Sequence, residues 1–99
     1  MRKIGLFAAA AFLLSAGAAR AECPVLIFIT DWCQHCSNLQ SELDDRGVSY
    51  STCDIEASTD CRDALVEVSG SAGVPVTLAC GMRIDGNDPD SVEEALGRH

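Results

Sequence analysis

Positive charge is scarce in this 99-residue sequence, which has seven lysine and arginine residues against fifteen aspartate and glutamate residues. Three of the seven lie within the first 21 residues, so the remainder has no lysine and, with four cations against fifteen anions, a net charge of −11. Nucleic acids and anionic membrane surfaces are poor partners for such a chain. The acidity indicates a solubilising surface, with docking to a basic partner as the alternative.

The sequence also lacks the ligand spacing of a zinc site. Zinc usually takes four ligands from two C-x-x-C pairs, or from one such pair and a pair of histidines. This chain has a single C-x-x-C pair, Cys33 and Cys36, and no paired histidines. We therefore expect no metal site. Internal repeats and low-complexity segments are absent too, and residues 22–99 are few enough to form one small domain.

Residues 1–21 have the pattern of a cleaved signal peptide. A basic start precedes the apolar stretch Ile4–Ala19, and Ala19-Arg20-Ala21 fits the small-x-small pattern before a cleavage point. The alternative is an uncleaved anchor, but a span usually needs about 20 apolar residues. We expect an exported protein, most readily placed in the periplasm, without stable membrane association after cleavage.

All six cysteines follow the predicted signal peptide. An even number of cysteines in an exported chain indicates disulfides formed in an oxidising compartment. If one disulfide joins the C-x-x-C pair, the other four cysteines allow three pairings; these four are Cys23, Cys53, Cys61 and Cys80.

The C-x-x-C pair lies in Trp32-Cys33-Gln34-His35-Cys36, which follows the apolar run Val25–Thr30 after the single residue Asp31. That placement predicts a buried strand leading into a helix. Unpaired N–H groups and the positive dipole end at a helix N-terminus stabilise a thiolate. We therefore expect Cys33 to be the nucleophile and Cys36 the resolving cysteine. A structural disulfide is the alternative.

His35 lies inside the motif and can donate to the Cys33 thiolate or place positive charge beside it. Such an effect would make the disulfide a stronger oxidant, because redox potential follows thiolate stability. The alternative is a solvent-facing imidazole with little influence. Asp31 should oppose thiolate formation to some extent.

Hydrophobic periodicity and turn residues predict seven elements. Cys80-Gly81 is predicted to form a tight hairpin turn, Ser58-Thr59-Asp60 to cap the second helix, and Asp88 or Asp90 to cap the third. The second helix is expected to bury Ala64, Leu65 and Val68. The predicted strands are Val25–Thr30, Val48–Cys53, Val76–Ala79 and Met82–Ile84, and the predicted helices run over Ser37–Arg46, from Ser58 to about Gly70, and over Ser91–Leu96.

This order of elements resembles the thioredoxin superfamily in its minimal glutaredoxin-like form. The resemblance rests on Trp32–Cys36, on Val74-Pro75 and on Ile84–Asp88, and it spans essentially residues 23–97. It implies an α/β fold of order βαβαββα, with a four-stranded mixed sheet flanked by three helices.

The resemblance implies further features. Val74-Pro75 would be a cis peptide whose backbone pairs with a substrate strand, with an ordinary trans proline as the alternative. Trp32 and Gln34 would also contact substrate, although Gln34 replaces the proline common at its position. The C-x-H-C motif, and valine before the proline, resemble periplasmic disulfide oxidases. Family topology implies the pairings Cys53 with Cys61 and Cys23 with Cys80, as structural disulfides or as a second redox relay.

Glutathione binding is a separate expectation. Gly86, Asn87 and Asp88 match the region that holds the γ-glutamyl end of glutathione in glutaredoxins. However, Thr30-Asp31-Trp32 replaces the basic residue that glutaredoxins commonly have before the motif. Asp88 is more simply interpreted as a helix cap.

We expect an exported thiol–disulfide oxidoreductase that acts on protein or peptide thiols through Cys33 and Cys36. It would need no cofactor, and a partner protein or glutathione would restore its redox state. One alternative is a copper(I) carrier with Cys33, Cys36 and His35 as soft ligands. The others are a glutathione-dependent reductase and a disulfide-stapled interaction domain without activity.

Overall fold

A computed structural model describes residues 23–97. The predicted signal peptide, residues 1–21, lies outside the described residues. Four strands and three helices alternate in the order βαβαββα. The strands are β1 (Val25–Ile29), β2 (Ser51–Asp54), β3 (Val76–Ala79) and β4 (Met82–Asp85), and the helices are α1 (Gln34–Asp45), α2 (Thr59–Ser69) and α3 (Pro89–Gly97).

The strands form one mixed sheet in the order β2-β1-β3-β4. β1 pairs in parallel with β2, whereas β1 with β3 and β3 with β4 are antiparallel pairs. The parallel pair is joined through α1, as the crossover rule requires. The predicted minimal thioredoxin or glutaredoxin-like fold is therefore confirmed.

Both faces of the sheet are covered, which explains why β1 is apolar throughout. Val25 and Ile27 of β1 face the cluster that contains Leu39 and Leu43 of α1 and Val92 of α3. Phe28, on the opposite face because side chains alternate along a strand, packs with Ile55, Leu65 of α2 and Val76. Helices α1 and α3 thus cover one face, and α2 covers the other.

Two predicted boundaries at α1 and β2 were wrong. Helix α1 begins at Gln34 with Cys33 as its N-cap, so the predicted place of Cys33 at a helix N-terminus is confirmed, whereas the predicted span Ser37–Arg46 begins one turn too late. Strand β2 begins at Ser51 rather than Val48. The Val48 N–H donates to the Leu43 carbonyl at 2.9 Å, so the chain there still closes the end of α1 despite its alternating pattern.

Smaller differences concern the second half of the chain. Strand β3 has the predicted bounds, whereas α3 begins at Pro89, two residues before the predicted start, and proline suits a first helical position. Ala64, expected on the buried face of α2, is exposed. Leu65 is the fully buried side chain of α2.

The β3–β4 turn has the predicted hairpin geometry. Cys80 and Gly81 both have positive φ, 52° and 80°, as the mirror-image hairpin turn requires. The Cys80 N–H also donates to the Pro24 carbonyl at 3.2 Å, which extends the β1–β3 pairing by one step.

Within residues 23–97, none of the helices has both the length and the apolar character needed to cross a membrane.

Candidate active site

Cys33 lies where β1 has ended and α1 begins. Its backbone is extended, and its Sγ accepts the Cys36 N–H at 3.0 Å, so sulfur takes the place of the oxygen that usually caps a helix. A disulfide joins Cys33 to Cys36, with their Cα atoms 5.2 Å apart. Cys33 is 5% exposed and Cys36 is 1% exposed. Cys33 is therefore the more exposed residue of the pair, and it lies at the helix N-terminus, where a thiolate would be stabilised.

Val74-Pro75 lies at the same end of the sheet as Cys33. β3 runs antiparallel to β1, with Phe28 opposite Val76, so the residues before β3 adjoin the residues after β1. The Val74-Pro75 peptide bond is cis, as the resemblance implied. No hydrogen bond from another described residue reaches the Val74 backbone, so these groups are open to a partner.

A cleft of about 250 Å³ opens beside this proline. Val74, Pro75 and Gly86 line it, together with Ser69, Ser71 and Asp85. Sequence reasoning placed Val74, Pro75 and Gly86 in a candidate site, but it gave no role to Asp85 or the two serines.

The other residues of the motif point outward. Gln34 and His35 are exposed, and the Gln34 amide donates to Asn38 Oδ1 at 3.0 Å, one helical turn along α1. Within residues 23–97, the His35 imidazole has no side-chain hydrogen bond, and its backbone belongs to α1. Its influence on the cysteines stays a prediction.

Trp32, next to Cys33, is 70% exposed, yet its indole N–H has a fixed partner. The indole nitrogen lies 3.1 Å from both carboxylate oxygens of Glu56, 24 residues away. Glu56 belongs to the turn between β2 and α2. Sequence reasoning missed this residue, because no motif or spacing links it to the C-x-x-C pair.

The remaining four cysteines form two disulfides with the pairings that the family topology implied. Cys53 of β2 is joined to Cys61 in the first turn of α2, with Cα atoms 5.5 Å apart. Cys23 is joined to Cys80, at the end of β1 and β3 remote from Cys33. The first of these disulfides closes the segment that carries Glu56, and the second is far from the site.

Gly86, Asn87 and Asp88 lie between β4 and α3, and two of them already have partners. The Gly86 N–H donates to the Pro75 carbonyl at 2.9 Å, which joins this segment to the proline. Asp88 accepts the Ser91 N–H at 3.1 Å and the Ser91 hydroxyl at 2.7 Å, so it caps α3. Asn87 is exposed.

Cations that could bind an acidic ligand are few. Within residues 23–97 they are Arg46, Arg62 and Arg83. Arg46 pairs with Glu42, Asp90 and Glu93, and Arg83 pairs with Asp85 at 3.0 Å. The described residues contain no group of three or more His, Cys, Asp or Glu side chains that could hold a metal ion.

Comparison with known proteins places the chain in a family context. A family model described as Glutaredoxin matches residues 25–83. The "Gene 56 protein" of Mycobacterium phage D29 is 30% identical over 74 residues, which are 74% of this chain and 82% of that protein.

Solved structures share the fold at lower identity. The glutaredoxin grx-1 from Archaeoglobus fulgidus is 21% identical, with a TM-score of 0.66 over 76% of this chain and 87% of that one. A buckwheat glutaredoxin–glutathione complex is 23% identical, with a TM-score of 0.64 over 87% of each chain.

Proposed function

The chain belongs to the glutaredoxin family of thiol–disulfide oxidoreductases, and from that premise we propose that Cys33 and Cys36 exchange disulfides with protein or peptide thiols. The observation that carries the proposal is the position of the Cys33 sulfur at the N-cap of α1, 3.0 Å from the Cys36 nitrogen. A helix N-terminus favours the thiolate, which is the reactive form in exchange.

In the reducing direction the Cys33 thiolate attacks one sulfur of a substrate disulfide. A mixed disulfide forms, and the other substrate sulfur leaves as a thiolate. The Cys36 thiolate then attacks the Cys33 sulfur, which releases the second substrate thiol and leaves the Cys33–Cys36 disulfide. The oxidising direction runs these steps in reverse. A partner protein or glutathione restores the starting state.

Positioning of the substrate is assigned to the residues around the two sulfurs. The open backbone groups of Val74 can pair with an extended substrate segment, and Val74 also lines the cleft beside Pro75. Trp32, directly before Cys33, and Gln34, the first residue of α1, are assigned contacts with substrate, and His35 is assigned the tuning of the potential of the two cysteines.

Glutathione is the second candidate substrate, favoured by the cleft that joins Val74 and Pro75 to Gly86. The similar buckwheat glutaredoxin was solved as a complex with glutathione. Against this candidate, the acidic residue Asp85 lines the cleft, and the guanidinium of Arg83 is already paired with its carboxylate. The two carboxylates of glutathione would meet like charge there, so we assign protein or peptide thiols as the main substrates.

The test uses Cys33→Ser and Cys36→Ser variants with a disulfide-linked fluorescent peptide. Cys33→Ser should lose exchange by at least about a hundred-fold, because it removes the attacking sulfur. Cys36→Ser should accumulate a mixed disulfide with the peptide, read by mass, and should react more slowly with oxidised glutathione. Full exchange in Cys33→Ser would overturn the proposal, and faster trapping of glutathione than of the peptide would make glutathione the main substrate.

The direction of electron flow follows from the reduction potential of this pair, measured in glutathione buffers with thiol trapping. A value of about −120 to −180 mV is typical of a disulfide donor or isomerase, and about −270 mV is typical of a thioredoxin-like reductase.

We also propose that the protein is exported, to the periplasm of a bacterial cell. Two disulfides besides the C-x-x-C pair support an oxidising compartment, where such cross-links persist. Fractionation of cells that produce the full chain should give a periplasmic protein shortened by about 21 residues, in line with the signal-peptide pattern. A full-length protein in the cytoplasmic fraction would contradict export.

A further inference from the structure

Trp32 is a large side chain that stays exposed and yet is held in place. Its indole is 70% exposed and directly precedes the nucleophilic position, Cys33. An exposed side chain beside an active sulfur usually samples several rotamers and loses that freedom when substrate binds. Here the indole N–H already donates to both oxygens of Glu56, each at 3.1 Å. The donor is neutral and the acceptor charged, which makes such a bond stronger than one between neutral groups.

The turn that carries Glu56 is itself rigid. Asp54 Oδ1 accepts the N–H groups of Glu56 and Ala57 at 2.9 and 3.2 Å, and the Asp54 carbonyl accepts the Ser58 N–H at 3.1 Å. The preceding residue, Ile55, is 6% exposed and packs in the core. These bonds fix the backbone on both sides of Glu56.

A covalent link closes the same segment. Cys53 and Cys61 lie on either side of the turn and form a disulfide. The Cys61 N–H is held by the Ser58 hydroxyl at 3.2 Å, so the far end of the link is also fixed. At the Cys53 end, the chain is held to the sheet, because the Ile55 N–H donates to the Ile29 carbonyl of β1 at 3.0 Å. The chain of support therefore runs from the Cys53–Cys61 disulfide, through the turn and Glu56, to Trp32 beside Cys33.

We propose that Glu56 is a positioning residue for thiol–disulfide exchange, which holds the Trp32 indole in its substrate-receiving orientation, and that the Cys53–Cys61 disulfide is the frame that keeps Glu56 in place. This role rests on the proposed function of Cys33 and Cys36. It assigns the Cys53–Cys61 disulfide to support of the active site, and it requires no electron transfer through that disulfide.

The test compares Glu56→Ala and Glu56→Gln with a matched control, Glu67→Ala. Glu67 is an exposed glutamate of α2 whose carboxylate makes no hydrogen bond or ion pair within residues 23–97. Trp32 is the only tryptophan of the sequence, so its fluorescence anisotropy decay reports its mobility without any need for activity. The second readout is kcat/KM for exchange with the disulfide peptide.

Glu56→Ala should add fast local motion to the anisotropy decay. It should also lower kcat/KM by about five-fold, the equivalent of one net hydrogen bond, mainly through KM. Glu56→Gln keeps one acceptor oxygen but loses the charge, so both values should lie between those of Glu56→Ala and those of the wild type. Glu67→Ala should change neither value.

Three results would overturn the assignment of Glu56. They are an unchanged Trp32 mobility in Glu56→Ala, an unchanged kcat/KM in that variant, or a Glu56→Gln variant as defective as Glu56→Ala, which would indicate a charge effect rather than positioning. If the wild type shows no exchange, the proposed function fails, whereas the anisotropy result still stands or falls by itself.

The role of the frame is tested with the double variant Cys53→Ser/Cys61→Ser. The double variant, with folding checked by circular dichroism, should show the same added motion of Trp32 as Glu56→Ala. Unchanged motion in the folded double variant would remove the disulfide from the proposal. If the double variant does not fold, the comparison is made on wild-type protein before and after graded reduction of that disulfide, quantified by mass.

Discussion

Tyr50 is the only tyrosine of the sequence, and its hydroxyl donates to Asp44 Oδ1 at 2.9 Å. Burial first, and the bond to the Asp44 carboxylate second, raise the pKa of Tyr50. Because the pKa of Tyr50 is higher in the folded than in the unfolded state, protonated Tyr50 contributes to the free energy of unfolding. That contribution is complete below the unfolded pKa of about 10 and is lost as the pH rises through the pKa of the folded state. We therefore expect the absorbance titration of Tyr50 near 295 nm to have its midpoint above that of a model peptide.

The stability measurement gives an independent check. Between neutral pH and pH 10 this group should contribute no slope to the free energy of unfolding, and above pH 10 stability should fall. Tyr50→Phe should remove that part of the fall. Spectra taken within seconds of a pH jump avoid disulfide exchange. A midpoint at or below the peptide value would contradict the prediction.

At the scale of single residues, the sequence was sufficient for Cys33 but not for Glu56. A cysteine shortly after a buried strand predicts a helix N-terminus, because strand length and helix capping are local properties. The contact of Glu56 with Trp32 depends on how the β2–α2 turn is placed in space. Both residues are exposed, so no hydrophobic pattern indicates the pair.

At the scale of elements, Ser58 begins α2. Its hydroxyl accepts the Cys61 N–H at 3.2 Å, and its backbone is extended. Ser58→Ala should therefore reduce the free energy of unfolding by about 1 kcal/mol, the usual effect of losing such a cap. Ser58→Asp keeps an acceptor at a helix N-terminus and serves as the control, which should retain the wild-type value within a few tenths of a kcal/mol. Urea denaturation measures both, and equal losses in the two variants would contradict a capping role.

The order of the elements was predictable, and most of the errors were at their ends. Leu39 and Leu43 repeat at helical spacing, and the Gly81 turn separates two short apolar runs, so both features can be read locally. The alternation at Val48 and Tyr50 looked like a strand. In the structure, Val48 bonds back to Leu43 and Tyr50 bonds to Asp44, so this segment closes the C-terminal end of α1 and does not yet pair with β1. Ala64 was misplaced because the rotation of α2 is fixed by Leu65 packing against the sheet.

At the scale of the whole molecule, the two supporting disulfides differ in the length of chain they close. Cys23 and Cys80 are 57 residues apart, and Cys53 and Cys61 are 8 apart. Loop entropy predicts a loss of about 4 kcal/mol when the first is replaced by two serines and about 2.5 kcal/mol for the second. Urea denaturation at neutral pH measures both.

The loss of exchange activity should be greater when the Cys53–Cys61 disulfide is removed, although the loss of stability is greater when the Cys23–Cys80 disulfide is removed. The Cys23→Ser/Cys80→Ser variant, if folded, should keep its exchange rate, because this disulfide lies at the remote end of the sheet. The Cys53→Ser/Cys61→Ser variant should lose part of it, through Glu56. Equal effects of the two double variants on exchange would contradict this assignment.

The separation of Cys23 from Cys33 has a practical consequence. The five residues of β1 lie between the two ends and span about 17 Å. Pro24, beside Cys23, is exposed. A Pro24→Lys variant would carry an amine at this position, and a bead or electrode coupled through it would hold each molecule with the reactive end facing the solution. Protein immobilised in this orientation would present the Cys33–Cys36 pair, rather than the Cys23–Cys80 disulfide, to a dissolved substrate.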